Sequence, residues 1–162
     1  PDTSVTSDGS SLLAEYSSSE SASKVSKDPA QERRDKCANL ISVSRVYVSE
    51  PNIVGGVDLS IEWQNKSDKT IKYITFTAVP YNEVGDAVRC TVTRQSAYRG
   101  KITGPIESGE SYGAGYVWSC AWYNNTITRA CLDAIEIEYM DGTKVSFSGK
   151  DLAEACPDYF CE

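Results

Sequence analysis

The chain has 162 residues, of which 24% are charged and 40% hydrophobic, with a net charge of -7, six cysteines and no histidine. Without histidine it has no Ser-His-Asp or Cys-His catalytic set and no imidazole ligand for a metal. Its acidity argues against nucleic acid as a partner, because neutralising phosphates needs a basic face. Apolar runs are too short to span a bilayer. We therefore expect a non-catalytic binding domain without a metal, a cofactor or a transmembrane segment.

The six cysteines are scattered along the chain and contain no CxxC pair, a pattern typical of disulfides rather than of a zinc site. The disulfide candidates are Cys37, Cys90, Cys120, Cys131, Cys156 and Cys161. Spacing favours Cys120 with Cys131 and Cys156 with Cys161, which leaves Cys37 for Cys90, although the sequence alone does not choose among the pairings. Disulfides indicate an oxidising compartment, so we expect a secreted or cell-surface protein.

The N-terminus begins at Pro1 without an initiator Met or an apolar signal region, which indicates a mature chain whose targeting segment was removed. A lipid anchor in that segment is compatible with this interpretation. Residues 1–27 are rich in serine and lack apolar periodicity, so we predict a disordered tether.

A short helix is predicted over residues 28–39. Asp28 suits the N-cap and Pro29 the first helical position, and Gln31 is placed to complete a capping box. Charged side chains dominate the rest of this segment, so most of it should face solvent.

From residue 40 onward the chain is almost entirely strand-like. Val57, Leu59, Ile61 and Trp63 alternate with polar residues, as in a half-buried strand. Further strands are predicted at residues 41–49, 70–79, 87–93, around 102, 112–122, 132–140 and 143–148, and a helical turn at 148–156. Pro80 should end its strand or place it at an edge.

About seven strands without an interleaved βα pattern indicate an all-β fold, an immunoglobulin-like two-sheet β-sandwich over residues 40–162. Asp141-Gly142 between two alternating runs is a strong hairpin signal. A closed barrel is the alternative architecture.

Residues 74–88 (ITFTAVPYNEVGDAV) combine a strand, an aromatic-amide turn, a glycine and a returning strand. A proline-glycine bend follows at 104–110 (GPIESGE), and a last hairpin at 122–124 and 135–142 (IEIEYMDG). Over residues 40–148 this arrangement resembles bacterial cell-envelope domains with an immunoglobulin-like sandwich, including the FxLYD type. The resemblance implies a surface module of a secreted protein or lipoprotein, without catalytic residues.

The densest aromatic cluster either belongs to the core or forms a sugar-binding platform. Its members are Tyr112, Tyr116, Trp118, Trp122 and Tyr123. The even-numbered members share one strand face, which in a sandwich is usually core. Tyr123 has the opposite parity and adjoins Asn124, so the candidate ligand-binding residues are Tyr123, Trp122 and Asn124.

Two clusters of charged residues are further candidates for a site. Glu136, Glu138 and Asp141 could supply oxygen ligands to calcium, but alternating Glu on a strand more often forms a solvated face. Arg94, Arg99 and Lys101 form a small basic cluster suited to an anionic partner or to an ordinary loop. Asn65 and Asn124 begin acceptor patterns for glycosylation, or are simply turn residues.

These observations predict a non-catalytic extracellular or cell-envelope module whose role is protein interaction or spacing. The alternative is a carbohydrate-binding module that uses exposed aromatic rings. The expected partner is a protein or a glycan at the cell surface.

Overall fold

The computed structural model describes residues 28–162, and this part of the chain forms an all-β sandwich of two four-stranded antiparallel sheets with two short helices. The predicted tether at residues 1–27 lies outside the described residues. The elements are α1 (Pro29–Ala38), β1 (Ile41–Val48), β2 (Gly56–Asn65), β3 (Ile71–Asn82), β4 (Tyr98–Ile106), β5 (Ser111–Tyr112), β6 (Trp118–Tyr123), β7 (Ile127–Tyr139), β8 (Lys144–Ser148) and α2 (Gly149–Ala155). The predicted two-sheet sandwich is confirmed, and the 28–162 region has eight strands instead of about seven.

The first sheet is built around β2, which pairs with β1 on one side and with β5 and β6 on the other. The predicted alternation along β2 is confirmed, because Val57, Leu59, Ile61 and Trp63 are all buried. Since alternate side chains of a strand point to opposite faces, this one strand supplies much of the first sheet's inner surface.

The second sheet has the strand order β4-β3-β7-β8. On its inner face Ile74 lies opposite Ile137 and Phe76 opposite Ile135, and all four side chains are buried. The ring of Phe76 meets Trp63 of the first sheet at a centroid distance of 5.7 Å, which closes the core between the two sheets. The alternate residues of β3, β4, β7 and β8 therefore point outward, where the candidate site lies.

Helix α1 begins as predicted, with the Asp28 carboxylate accepting a hydrogen bond from the Ala30 N–H at 3.1 Å and Pro29 in the first turn. The predicted capping box is wrong, because the Gln31 amide instead donates to Asp35 within the helix. Cys37 is the buried residue of α1. In residues 28–162 no helix is long and apolar enough to cross a membrane.

The C-terminal segment runs beside β7 after α2. The Leu132 N–H donates to the Tyr159 carbonyl and the Cys161 N–H donates to the Leu132 carbonyl at 2.7 Å, which brings Cys161 alongside Cys131. These two cysteines form a disulfide. The expected pairs Cys120–Cys131 and Cys156–Cys161 are therefore wrong.

The other four cysteines are free thiols, so the expectation that all six are cross-linked is not met here. They are Cys37, Cys90, Cys120 and Cys156.

The predicted strand at residues 87–93 is wrong. That segment makes one isolated bridge, between Tyr81 and Ala87, and then turns, with the Arg94 N–H donating to the Cys90 carbonyl at 2.9 Å. The place beside β3 is taken instead by β4, which continues through Gly104-Pro105 where the sequence suggested a bend. Pro80 does not end its strand, since β3 continues to Asn82. Because β4 pairs with β3 only as far as Ala78, the strand that pairs with β3 at Pro80 is β7.

The predicted strand at residues 112–122 is interrupted by a loop between β5 and β6. Gly113 and Gly115 adopt positive φ angles of 107° and 78°, which glycine accepts readily. A Cβ on Gly113 would lie 1.9 Å from the Ile61 carbonyl oxygen, so only glycine fits there without movement. The chain turns at these residues and returns as β6.

Candidate functional site

Trp122 belongs to the core. Its exposed fraction is 1%, and its ring packs edge-on against Tyr98 at 5.8 Å. Trp118 is also buried and meets the same tyrosine at 6.4 Å. A buried indole cannot offer its face to a sugar, so the expected ligand-binding role of Trp122 is wrong.

Tyr123 and Asn124 are half-buried and lie where β6 enters the turn toward β7. The Tyr123 carbonyl accepts two hydrogen bonds from Thr91, one from its N–H at 2.7 Å and one from the Thr91 hydroxyl at 2.6 Å. The Asn124 amide donates to the Arg89 carbonyl at 2.8 Å, and its oxygen accepts two hydrogen bonds from Thr126. These hydrogen bonds hold the irregular 83–97 segment against β6. Both polar atoms of the Asn124 side chain are therefore engaged in a structural role.

The three acidic residues that could supply calcium ligands are not brought together. Asp141 lies in the turn between β7 and β8, where Lys69 contacts its carboxylate at 2.7 Å and Thr143 donates two hydrogen bonds to it. The hydrogen bond from Lys69, followed by those from Thr143, holds the pKa of Asp141 well below its usual range. Glu136 and Glu138 instead point outward from β7, and the described residues contain no group of His, Cys, Asp and Glu suited to a metal ion.

The outer face of the second sheet brings together two clusters of charged residues that lie apart in the sequence. Register places Lys101 of β4 and Glu136 of β7 on either side of Thr75, and Glu138 beside Tyr73. These side chains line an open depression of about 600 Å³. We call it the charged sheet face; it is formed mainly by Tyr73, Thr75, Arg99, Lys101, Glu136, Glu138, Lys144 and Ser146.

Ion pairs use up both carboxylates of the charged sheet face. Arg99 contacts Glu136, while Glu138 is shared by Lys144 and by Lys72 at the rim, each at 3.5 Å. These ion pairs are solvent-exposed, since Arg99 is 64% and Lys144 74% exposed. Exposed pairs of this kind exchange readily for other partners, because each is worth only about 0.2–1 kcal/mol.

Lys101 is the surplus cation. Its ammonium lies 3.8 Å from the centroid of the Tyr73 ring, a cation–π contact, and no carboxylate among residues 28–162 is within ion-pair distance of it. Lys72 approaches the same ring at 5.2 Å. Four cations, counting Lys72, therefore face two carboxylates on this surface. Arg94 of the predicted basic cluster lies apart, in the turn after Cys90.

A second, smaller depression of about 350 Å³ is lined by residues of β1, β2 and β5 in the first sheet. Its aromatic wall is Tyr112, whose ring packs 5.9 Å from Trp63 and 5.7 Å from Tyr116. The remaining polar lining consists of the side chains of Ser42, Ser44, Gln64 and Ser111 together with the carboxylate of Glu62.

Sequence reasoning found Arg99, Lys101, Glu136 and Glu138 but missed that they share one face. Tyr73 and Lys144 were not singled out. The parity of each strand indicates which of these side chains face outward. Their proximity, however, depends on β4 taking the place of residues 87–93 beside β3.

No protein-family model matches the chain, and neither does any curated protein.

Proposed function

We propose that the protein is a non-catalytic interaction module that binds an acidic polypeptide segment on the charged sheet face. The observation that carries this proposal is Lys101, an exposed cation held on the Tyr73 ring without a carboxylate partner in the described residues. An incoming carboxylate gains an ion pair there without displacing one.

Charge favours this site over the rest of the molecule. The chain carries a net charge of -7, which disfavours an acidic partner in general, whereas this face holds a surplus of cations. Complementary charge raises association rates and selects partners more than it adds affinity. The expected interaction is consequently weak to moderate and sensitive to salt.

The occupied ring of Tyr73 favours a polypeptide over a sugar at this face. Two ammonium groups lie against the ring, at 3.8 Å for Lys101 and 5.2 Å for Lys72, so the ring is not free for a pyranose to stack on. The hydroxyls of Thr75 and Ser146 line the same depression and suit the amide groups of an extended chain.

The proposal extends to location and class. We propose an extracytoplasmic protein, secreted or held at the cell surface as envelope modules are, because the Cys131–Cys161 disulfide persists in oxidising compartments. The carboxylates of the charged sheet face are engaged by cations, which favours a binding role over acid–base catalysis.

A binding titration tests the site. A short, fluorescently labelled polyglutamate peptide should bind the wild-type protein at low salt, and Lys101→Glu should weaken binding by about fivefold to tenfold because one attraction becomes a repulsion. Fluorescence anisotropy gives the Kd.

The matched control is Lys66→Glu, which makes the same charge change at an exposed turn between β2 and β3. Equal weakening by both variants would attribute binding to net charge alone and would contradict a site at Lys101. Preferential binding of a polyuronate over polyglutamate would indicate that the partner is an anionic glycan and would contradict a polypeptide partner.

Carbohydrate binding has one observation in its favour, the Tyr112 depression on the opposite sheet. A half-exposed tyrosine beside hydroxyl, amide and carboxylate groups is suited to a sugar ring. Binding there should quench the fluorescence of Trp63, which lines the depression, and Tyr112→Ala should abolish the quenching. Unchanged fluorescence across a panel of polysaccharides would exclude this alternative.

A further inference from the structure

Strand β4 has an open edge. It is the terminal strand of the second sheet, it is nine residues long, and no other segment of residues 28–162 pairs with its free side. An uncovered edge presents N–H and C=O groups on which another extended chain can form a ladder. We propose that the acidic polypeptide binds by adding a strand to the free edge of β4, an inference that rests on the proposed function and specifies its binding geometry.

The hydrogen-bond pattern of the sheet identifies the backbone groups that this edge offers. In an antiparallel ladder, successive residues direct their N–H and C=O groups alternately to the two sides of the strand. At the β7–β8 turn the Tyr139 N–H donates to the Thr143 carbonyl at 2.9 Å. Followed through the registers of β7, β3 and β4, this alternation directs Gly100 and Ile102 toward β3. The backbone groups that point to the free edge are therefore those of the alternate residues Arg99, Lys101 and Thr103.

Two of these three residues are cations of the charged sheet face. The side chains of Arg99 and Lys101 are exposed on the outer face of β4. In an added antiparallel strand, the residues directly opposite them project to the same face, with Cβ atoms about 4.5–5.5 Å away. Acidic side chains at every second position of the partner would thus lie beside these cations. Lys101 is available for such a contact, since no carboxylate in residues 28–162 forms an ion pair with it.

Charge selects this edge and this kind of partner. Two copies of β4 paired antiparallel would bring Arg99 and Lys101 of one chain near the same cations of the other, and like charges across strands are destabilising. The opposite edge of the sheet, β8, is only five residues long, and its Lys144 is already paired with Glu138. An acidic strand on β4 therefore fits better than a second copy of the chain or an acidic strand on β8.

Amide hydrogen exchange, followed by NMR on the full chain, tests strand addition. Saturating polyglutamate peptide at low salt should slow exchange of the Arg99, Lys101 and Thr103 N–H groups by about tenfold or more, because each gains an acceptor. The control amides are Lys144 and Ser146, which the same alternation places at the free edge of β8 and which experience the charge of the peptide on the same face. Equal slowing at both edges, slowing at β8 alone, or slowing without peptide that grows with protein concentration would overturn the inference.

A backbone-methylated peptide separates failure of this inference from failure of the proposed function. Polyglutamate of the same length with every peptide nitrogen methylated keeps its carboxylates but cannot donate to the β4 carbonyls, so its Kd by fluorescence anisotropy should be about tenfold higher or more. Equal binding of both peptides, still weakened by Lys101→Glu, would overturn strand addition and leave the acidic-peptide site in place. No binding of either peptide, or binding that Lys101→Glu leaves unchanged, would contradict the proposed function and this inference together.

Discussion

Asn65 is a fully buried polar residue at the end of β2 whose side-chain groups are all used. Its amide nitrogen donates to the carbonyls of Lys69, Ile106 and Glu107 at 2.9–3.2 Å, and its oxygen accepts from Ser67. One side chain thus ties the β2–β3 turn to the end of β4. Because the Asn65 amide nitrogen is buried and hydrogen-bonded, it is not available for N-glycosylation in the folded protein.

Replacing Asn65 with Ala should lower the free energy of unfolding by about 3 kcal/mol, because several buried carbonyls and N–H groups lose their partner together. Urea denaturation of the variant measures this loss. Asn125→Ala is the control, since Asn125 is exposed and makes no side-chain hydrogen bond in the described part of the chain. A loss below about 1 kcal/mol for Asn65→Ala would contradict the assigned network.

Asp141 makes stability depend on pH in a defined direction. Its pKa lies well below the ordinary value of 3.8, first through the hydrogen bond from Lys69 and then through those from Thr143. A carboxylate with a lowered folded-state pKa stabilises the fold fully above the unfolded value, and this contribution is lost as the pH falls from there through the folded-state pKa.

The stability difference between wild type and Asp141→Asn should therefore be present at neutral pH and shrink below about pH 3.8. Denaturation at a series of pH values measures it, and an NMR titration of the carboxyl should give a midpoint below 3.8. A difference that stays constant down to strongly acidic pH would argue against the Lys69–Asp141 contact.

At the scale of elements, the β5–β6 loop offers a matched pair of glycines. Both have positive φ, but a Cβ on Gly113 would collide with the Ile61 carbonyl whereas a Cβ on Gly115 would meet nothing within 4 Å. Gly113→Ala should cost about 3 kcal/mol or more, from backbone strain plus the displaced strand, and Gly115→Ala about 1 kcal/mol from strain alone. Thermal or urea unfolding of both variants measures the difference, and equal costs would show that β5 does not approach β2 as closely as described.

The sequence predicts elements well where one periodicity dominates. The alternation in β2, the cap at Asp28 and the Asp141-Gly142 hairpin were each sufficient to locate their elements, because these signals are local. The strand predicted at residues 87–93 is wrong because pairing is not a local property. The composition of this segment suits a strand, but β4 occupies the hydrogen-bonding edge of β3. Competition between two segments for one edge is a property of the folded chain.

The candidate site was predictable only in part for the same reason. Strand parity alone places Lys101 and Glu136 on outer faces, yet their proximity depends on which strands are neighbours. Strand parity does not place Cys120 either, because its φ of 50° lies at an irregularity in the β2–β6 pairing that breaks the alternation between Trp118 and Trp122.

At the scale of the whole molecule, charge is distributed unevenly around a compact, aromatic-rich core. The net charge is -7, but the outer face of the second sheet gathers Lys72, Arg99, Lys101 and Lys144 around two glutamates. The depression of the opposite sheet instead presents hydroxyl and amide groups and the carboxylate of Glu62 beside Tyr112. The two faces of the sandwich are thus chemically different, and the proposed acidic partner suits only one of them.

NMR mapping of the polyglutamate complex tests the central claim most directly. Addition of the peptide to isotope-labelled protein at low salt should shift the amide signals of β3, β4, β7 and β8 around Lys101, and raising the salt concentration should reverse the shifts. Shifts confined to the Tyr112 face, shifts spread evenly over the surface, or no shifts at all would contradict the account.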